Sequence, residues 1–217
     1  MSGAPLEVRA WGPLACFTRP ETKVERVSYP VMTPSAARGL LEAIFWQPEF
    51  RWLVREVWVL RPIRFLSLLR NEVNSRASYH TATSWGPGDG YFAEDDRTQR
   101  HTLALRDVAY LIRADVAVAT GVEADPARYR DQFRRRVRRG ACAYGPYLGT
   151  RECMASFSDR RPDDHPIPVD TDLGRMLLDI AYAGDGSGRG APRFFSARLR
   201  RGVLHVPDSP RQGRVPC

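Results

Sequence analysis

Lysine is all but missing from this chain: Lys23 stands alone, and every other member of the 33 basic residues is arginine. Cysteine is nearly as scarce, with four residues (Cys16, Cys142, Cys153, Cys217) and no CxxC pair. No histidine stands at ligand spacing from them, and His80, His101, His165 and His205 do not cluster. Neither a disulfide framework nor a zinc site is expected from such a pattern. No apolar run approaches the length of a membrane span. The first residues, MSGAPLEVRAWG, lack a charged segment followed by an apolar core, so the expectation is a cytoplasmic chain without membrane contact. A GxxxxGK[ST] loop, an HExxH pair, paired metal carboxylates and a GxSxG elbow are also absent. That removes support for nucleotide hydrolysis, zinc proteolysis and serine hydrolysis, and no cofactor or metal is expected.

What is present is positive charge. The chain has 217 residues, 43% of them hydrophobic, enough for one large domain or two small ones. Its 33 basic residues outweigh 25 acidic ones, for a net charge of +8. Arginine binds phosphate bidentately and stacks on bases, so the charge points first to nucleic acid, with an acidic protein as the competing partner.

Leu6 to Trp11 alternates as a strand. A basic loop, Phe17 to Pro30, follows and carries Arg19, Lys23, Arg26 and Tyr29. Thr33 then reads as an N-cap with Pro34 at the first helical position, and Leu40, Leu41, Ile44 and Phe45 share one face of a helix over 34–47. A basic loop feeding a helix N-terminus suits phosphate, although an ordinary surface loop fits the same residues. Trp52 to Phe65 reads as a second strand, with Pro62 marking an edge or a bulge. Residues 66–100 carry turn signals without a period and read as a long irregular insertion.

Leu105 to Ala119 is the clearest strand. Asp125, Pro126 and Gly140 then delimit a helix whose core stripe is Tyr129, Phe133 and Val137. Seven arginines (128, 130, 134, 135, 136, 138 and 139) fill most of its other positions. Such a run is either a solvated face or a face for phosphate. Gly145 to Phe157 adds a turn and a short strand, which completes a βαββαβ order. The expected fold is therefore α+β: a ferredoxin-like domain over 1–158 with the 66–100 insertion, then a C-terminal unit over 159–206 and a tail over 207–217. Within that unit, Leu173 to Tyr182 and Arg193 to Val206 supply strands, the latter as a hairpin turning at Arg201-Gly202.

Three long strings, FTRPETKVERVSYPVMTPSAARGLLEAIFWQP, LRPIRFLSLLRNEVNSR and LGTREC, closely resemble the CRISPR-associated Cas-five family in its subtype I-C (Dvulg) form. The resemblance runs from about Leu6 to about Val206. It implies a repeat-associated RNA-binding (RAMP) protein with a small C-terminal antiparallel β-sheet. It further implies a subunit of the type I-C surveillance complex (Cascade) that holds the 5′ handle of the crRNA. The same resemblance implies metal-independent cleavage of the pre-crRNA repeat hairpin, with a silent capping subunit as the alternative. Implied partners are the crRNA, the backbone and large subunits, and target DNA beside the PAM.

Metal-free RNA cleavage needs a base for the 2′-hydroxyl, a cation for the phosphorane and an acid for the leaving oxygen. In the family these come from a tyrosine on the first helix and a Lys-His pair opening the second. The matching positions are Phe45, Arg128 and Tyr129, so this chain departs from the pattern at all three. Arg128 can neutralise a phosphate but cannot act as a base. Tyr129 is a candidate base, or a core aromatic on its stripe, and His101 is a candidate substitute. Phosphate contacts are expected from Arg19, Lys23, Arg26, Arg38, Arg64, Arg70, Arg134, Arg135 and Arg138. Tyr29 is a candidate for stacking on bases, and Trp46 reads as a core residue more readily than a stacking one.

Overall fold

The computed structural model describes residues 4–22, 24–75, 83, 90–182 and 190–208. Its spine is a strand of 22 residues, β5 (Arg97–Val118). The second half of β5 lies between β1 (Leu6–Ala15) and β3 (Phe50–Val59), antiparallel to both. On its far side β1 pairs with the short β6 (Ser156–Ser158). Beyond β3 come β9 (Val203–His205), β8 (Gly190–Arg200) and β7 (Thr171–Tyr182), so the sheet reads β6-β1-β5-β3-β9-β8-β7. A two-residue strand, β2 (Arg26–Val27), attaches in parallel to the first half of β5.

Two helices close one face. In α1 (Pro34–Ile44) the Thr33 hydroxyl accepts the Ala36 N–H at 3.2 Å, and Ala37, Leu40, Leu41 and Ile44 are buried. The helix ends three residues earlier than 47 because Phe45 turns to extended backbone, its N–H still bonded to the Leu41 carbonyl. In α2 (Pro126–Arg139) Asp125 caps the first turn, and Gly140 ends the last one with φ 63°, a left-handed conformation that suits glycine. The stripe Tyr129, Phe133 and Val137 is buried; Phe133 meets Trp52 at 4.6 Å and Tyr129 meets Phe50 at 5.0 Å between ring centres. Val8, Ala10, Tyr110 and Ile112 supply the sheet side of this core.

Two expectations are corrected. Residues 66–100 are not wholly irregular: β4 (Phe65–Val73) pairs with the first half of β5 from Phe65↔Leu105 to Val73↔Arg97. Together they form a ribbon that continues the β3–β5 pairing, interrupted at residues 60–64 where Pro62 stands. Leu69 is 54% exposed and Val73 is 40% exposed. Beyond Leu68, which packs against the core, no core demands a hydrophobic alternation, which is why the period was missing from the sequence.

The second correction concerns the C-terminal strands, which do not form a sheet of their own. β9 pairs with β3 (Glu56↔His205 to Trp58↔Val203) and carries the β7–β8 hairpin as an extension of the main sheet. The turn between β8 and β9 is at Arg201-Gly202, as the sequence suggested. A Cβ at Gly202 would stand 2.2 Å from the Ile167 carbonyl oxygen, so the close approach there requires glycine.

Residues 159–170 cross the sheet face opposite the helices. Asp164 is buried and accepts the Arg9 Nε–H at 2.9 Å and the Arg161 N–H at 2.7 Å. Arg9 and Arg161 both lie over the Trp11 ring, and Arg113 and Arg160 lie over Trp58.

Candidate nucleic-acid interface

Burying Tyr129, Phe133 and Val137 forces the arginines of α2 onto its outer surface, because a helix shows its faces at a period of 3.6 residues. Four of the seven have partners. Arg130 pairs with Asp115 and donates to the Ala4 carbonyl, and Arg136 donates to the Ile44 carbonyl at 2.9 Å with its guanidinium over Phe45. Arg134 meets Asp131 and Arg138 meets Asp159, both as exposed pairs. Exposed pairs contribute about 0–1 kcal/mol, so a phosphate readily replaces either carboxylate. Arg128, Arg135 and Arg139 are exposed and have no carboxylate partner among the described residues.

Two of the cations expected in the loop and ribbon, Arg26 and Arg70, are already neutralised. Arg26 reaches Glu152 at 3.1 Å and Glu72 at 3.9 Å. Arg70 meets Glu72 at 2.6 Å, and Arg100 joins the same carboxylate at 3.4 Å. Arg38 lies between Glu42 on its own helix and Asp179 of β7, at 3.5 and 2.7 Å, so it ties α1 to the C-terminal hairpin. Arg64 is exposed, and Lys23 lies outside the described residues.

Tyr29 does not present a ring to bases. It has 0% exposure, its N–H is bonded to the Phe17 carbonyl, and Arg19 covers its ring at 4.5 Å. The N-terminus of α1 is closed as well: Met32, Thr33 and Pro34 are all buried, and the Thr33 hydroxyl occupies the cap. An anion therefore has no access to that helix end.

The candidates for chemistry are not brought together. Phe45 is 2% exposed and packs on Phe50. Tyr129 is 6% exposed and belongs to the core stripe, while Arg128 beside it faces outward. His101 stands on the ribbon opposite Leu69, whereas α2 reaches β5 at Asp115. That separation is about 45 Å of extended strand at 3.3 Å per residue.

Sequence reasoning underrated one exposed aromatic, Trp46, and missed another, Tyr144. Trp46, read as core, is 48% exposed at the end of α1, and Tyr144 is 53% exposed in the loop after α2. The Ala143 N–H donates to the Ala43 carbonyl at 2.8 Å, which joins that loop to the last turn of α1. Burial and the nearby Glu42 carboxylate raise the Tyr144 phenol above its usual range. Burial also raises the Glu42 carboxyl; Asp179 adds to this and Arg38 opposes it. The signal for Trp46 was its polar and proline neighbourhood, Gln47-Pro48, just past the helix.

The model of the Cas5d family, described as CRISPR-associated protein (Cas_Cas5), matches residues 5–207. A CRISPR pre-crRNA endoribonuclease Cas5d of Thermus thermophilus is 46% identical, with 94% of this chain and 92% of that protein covered. Its namesake from Mannheimia succiniciproducens is 41% identical over 93% and 94%. Among solved structures, a CRISPR-associated protein superposes with a TM-score of 0.67 at 23% identity, covering 96% of this chain and 94% of that one. A chain of a CRISPR RNA-guided surveillance complex shares the fold at a TM-score of 0.51 and 15% identity, covering 94% and 91%. With its family model spanning nearly the whole length and two relatives above 40% identity, the chain belongs to the Cas5d family of CRISPR-associated proteins.

Proposed function

We propose that this chain is the crRNA-binding subunit of a type I-C surveillance complex, working in the cytoplasm, and that it processes pre-crRNA by metal-independent cleavage of the repeat. The observation that carries the reading is the outer face of α2, where Arg128, Arg135 and Arg139 stand unneutralised among the described residues. Trp46 and Tyr144, exposed where α1 ends and α2 gives way to its loop, supply rings for unpaired bases. The names of both curated relatives support the endonuclease part. The strand order β6-β1-β5-β3, antiparallel throughout and linked by α1 and α2, supports a ferredoxin-like reading of residues 1–158. In that reading residues 159–206 form a second unit that lengthens the same sheet.

In this proposal Arg128 neutralises the phosphate at the cut, and the Tyr129 hydroxyl is the group nearest to it in sequence for proton transfer. A capping subunit without catalysis is the second reading, favoured by Phe45, which has no hydroxyl and is buried. The separating experiment incubates the protein in EDTA with labelled repeat RNA, and with the same RNA carrying hydrogen at the attacking 2′ position. One cut in the first RNA and none in the second is expected. Tight, salt-sensitive binding without a cut in either RNA establishes the capping subunit instead.

A further inference from the structure

The structure assigns a second phosphate-binding surface, distinct from α2, to the β8–β9 turn: Arg198, Arg200, Arg201 and His205 line an open groove that fits the sugar–phosphate backbone of a nucleic-acid duplex. This goes beyond the function proposed above and does not depend on cleavage. The groove encloses about 780 Å³. Alternation along β8 fixes its wall, because Ala197 and Leu199 are buried at 1% and 0% exposure and so turn Arg198 and Arg200 to solvent. Arg200 faces Val203 across the turn, and the same register carried one residue further sets His205 across from Arg198.

Charge balance separates this wall from the paired arginines of the molecule. Among the described residues, twelve arginines end within 4.0 Å of a carboxylate, and Arg198, Arg200 and Arg201 are not among them. One acid, Asp170, lines the groove and a second, Asp172, stands across from Arg198 on β7; each accepts a backbone N–H. Asp170 accepts the Arg201 N–H at 3.1 Å, and Asp172 accepts the Gly174 N–H at 2.7 Å. His205 points its Nδ1 toward Glu56 at 3.7 Å, which ties that side of the groove to β3. The rest of the lining includes Pro166 and Val203 and no aromatic ring. Single strands are usually held by stacking on rings, whereas duplexes are held through phosphates, and apart from the His205 imidazole, drawn toward Glu56, this wall offers guanidinium groups. The site is therefore one for backbone contact without base reading.

The test compares the wild type with Arg198→Gln/Arg200→Gln, and with Arg97→Gln/Arg106→Gln as a control of equal charge change. Fluorescence anisotropy follows binding to a duplex DNA, to the repeat hairpin RNA and to an unpaired RNA of equal length, over a salt series. The groove variant should bind a duplex more weakly, with a salt slope shallower by about 1.8, at about 0.9 for each phosphate no longer neutralised. Arg198→Lys/Arg200→Lys should restore most of that slope. Loss confined to the DNA identifies a DNA duplex as the ligand, loss confined to the hairpin identifies the RNA stem, and loss on both identifies the shared backbone. A change no larger than the control's, no duplex binding by the wild type, or an equal loss on the unpaired RNA overturns the assignment. Thermal melting verifies that the variants fold, and hairpin cleavage measured on the same preparations reports separately on the α2 proposal.

Discussion

Helix α2 and the loop-plus-ribbon region are both arginine-rich, yet their charges have different fates. On α2 three arginines stay exposed without a carboxylate among the described residues, while Arg26, Arg70 and Arg100 converge on Glu72 and Glu152. The partners lie far apart along the chain: Arg26 and Glu152 are 126 positions apart. A cation therefore becomes a phosphate ligand only where the fold leaves it unpaired, and a count of charges in a segment does not decide that. The same contrast recurs between Arg38, held by Asp179 of β7, and Arg198, which has no such partner among the described residues.

The comparison can be broken in four ways. Phe133→Ala removes the centre of the buried α2 stripe and should cost about 3–5 kcal/mol in urea denaturation, the range for deleting a core aromatic. If it does not, the arginine face is not held in place by that core. Arg128→Gln/Arg135→Gln/Arg139→Gln should leave the melting temperature in place and flatten the salt dependence of repeat-RNA binding by about 2, at about 0.7 per phosphate on a single strand. Arg26→Gln/Arg70→Gln should move that slope much less. Equal slopes for the two variants would erase the distinction between paired and unpaired arginines.

Trp46→Ala should weaken binding of unpaired repeat RNA by about 1–3 kcal/mol, as removing a stacking ring does, with little effect on stability. The smallest effect concerns Glu56. Burial pushes its carboxyl up, but hydrogen bonds from the Trp58 indole and the Arg113 guanidinium outweigh it and hold the group below its ordinary 4.5. A carboxyl depressed in the fold adds stability above that ordinary value and loses it as pH falls through the lower, folded one. The stability gap between wild type and Glu56→Gln should thus be full at neutral pH and fade in acid, which denaturation at several pH values measures.

Where local chemistry settles structure, the sequence was legible. Asp125, Pro126, the Tyr129-Phe133-Val137 stripe and Gly140 gave α2 to the residue, and Thr33-Pro34 gave the start of α1. The Arg201-Gly202 turn was legible for the same reason. The ribbon was not, because its outer half, from Leu69↔His101 to Val73↔Arg97, has no buried side to print a period. Tyr29 and Trp46 were misread in opposite directions. Tyr29 is buried because its segment bonds back to Phe17, a tertiary contact, and Trp46 is exposed because the chain leaves the helix one residue before it. The Arg198–Arg200–Arg201 groove escaped notice because three arginines in a hairpin look like a solvated turn until their neighbours are known.

The Arg9–Asp164 contact has a consequence for how this sequence can change over time. Both side chains are buried, and they join strand β1 to the segment that crosses the sheet 155 positions later. Losing one partner leaves a buried charge uncompensated, at about 3–5 kcal/mol, whereas replacing both with apolar residues of similar volume costs less, chiefly through the Arg161 N–H left without its Asp164 acceptor. Single substitutions at either position are thus barred while the pair can change together. The two positions should drift through a lineage as one unit, so that residue 9 in any descendant forecasts residue 164.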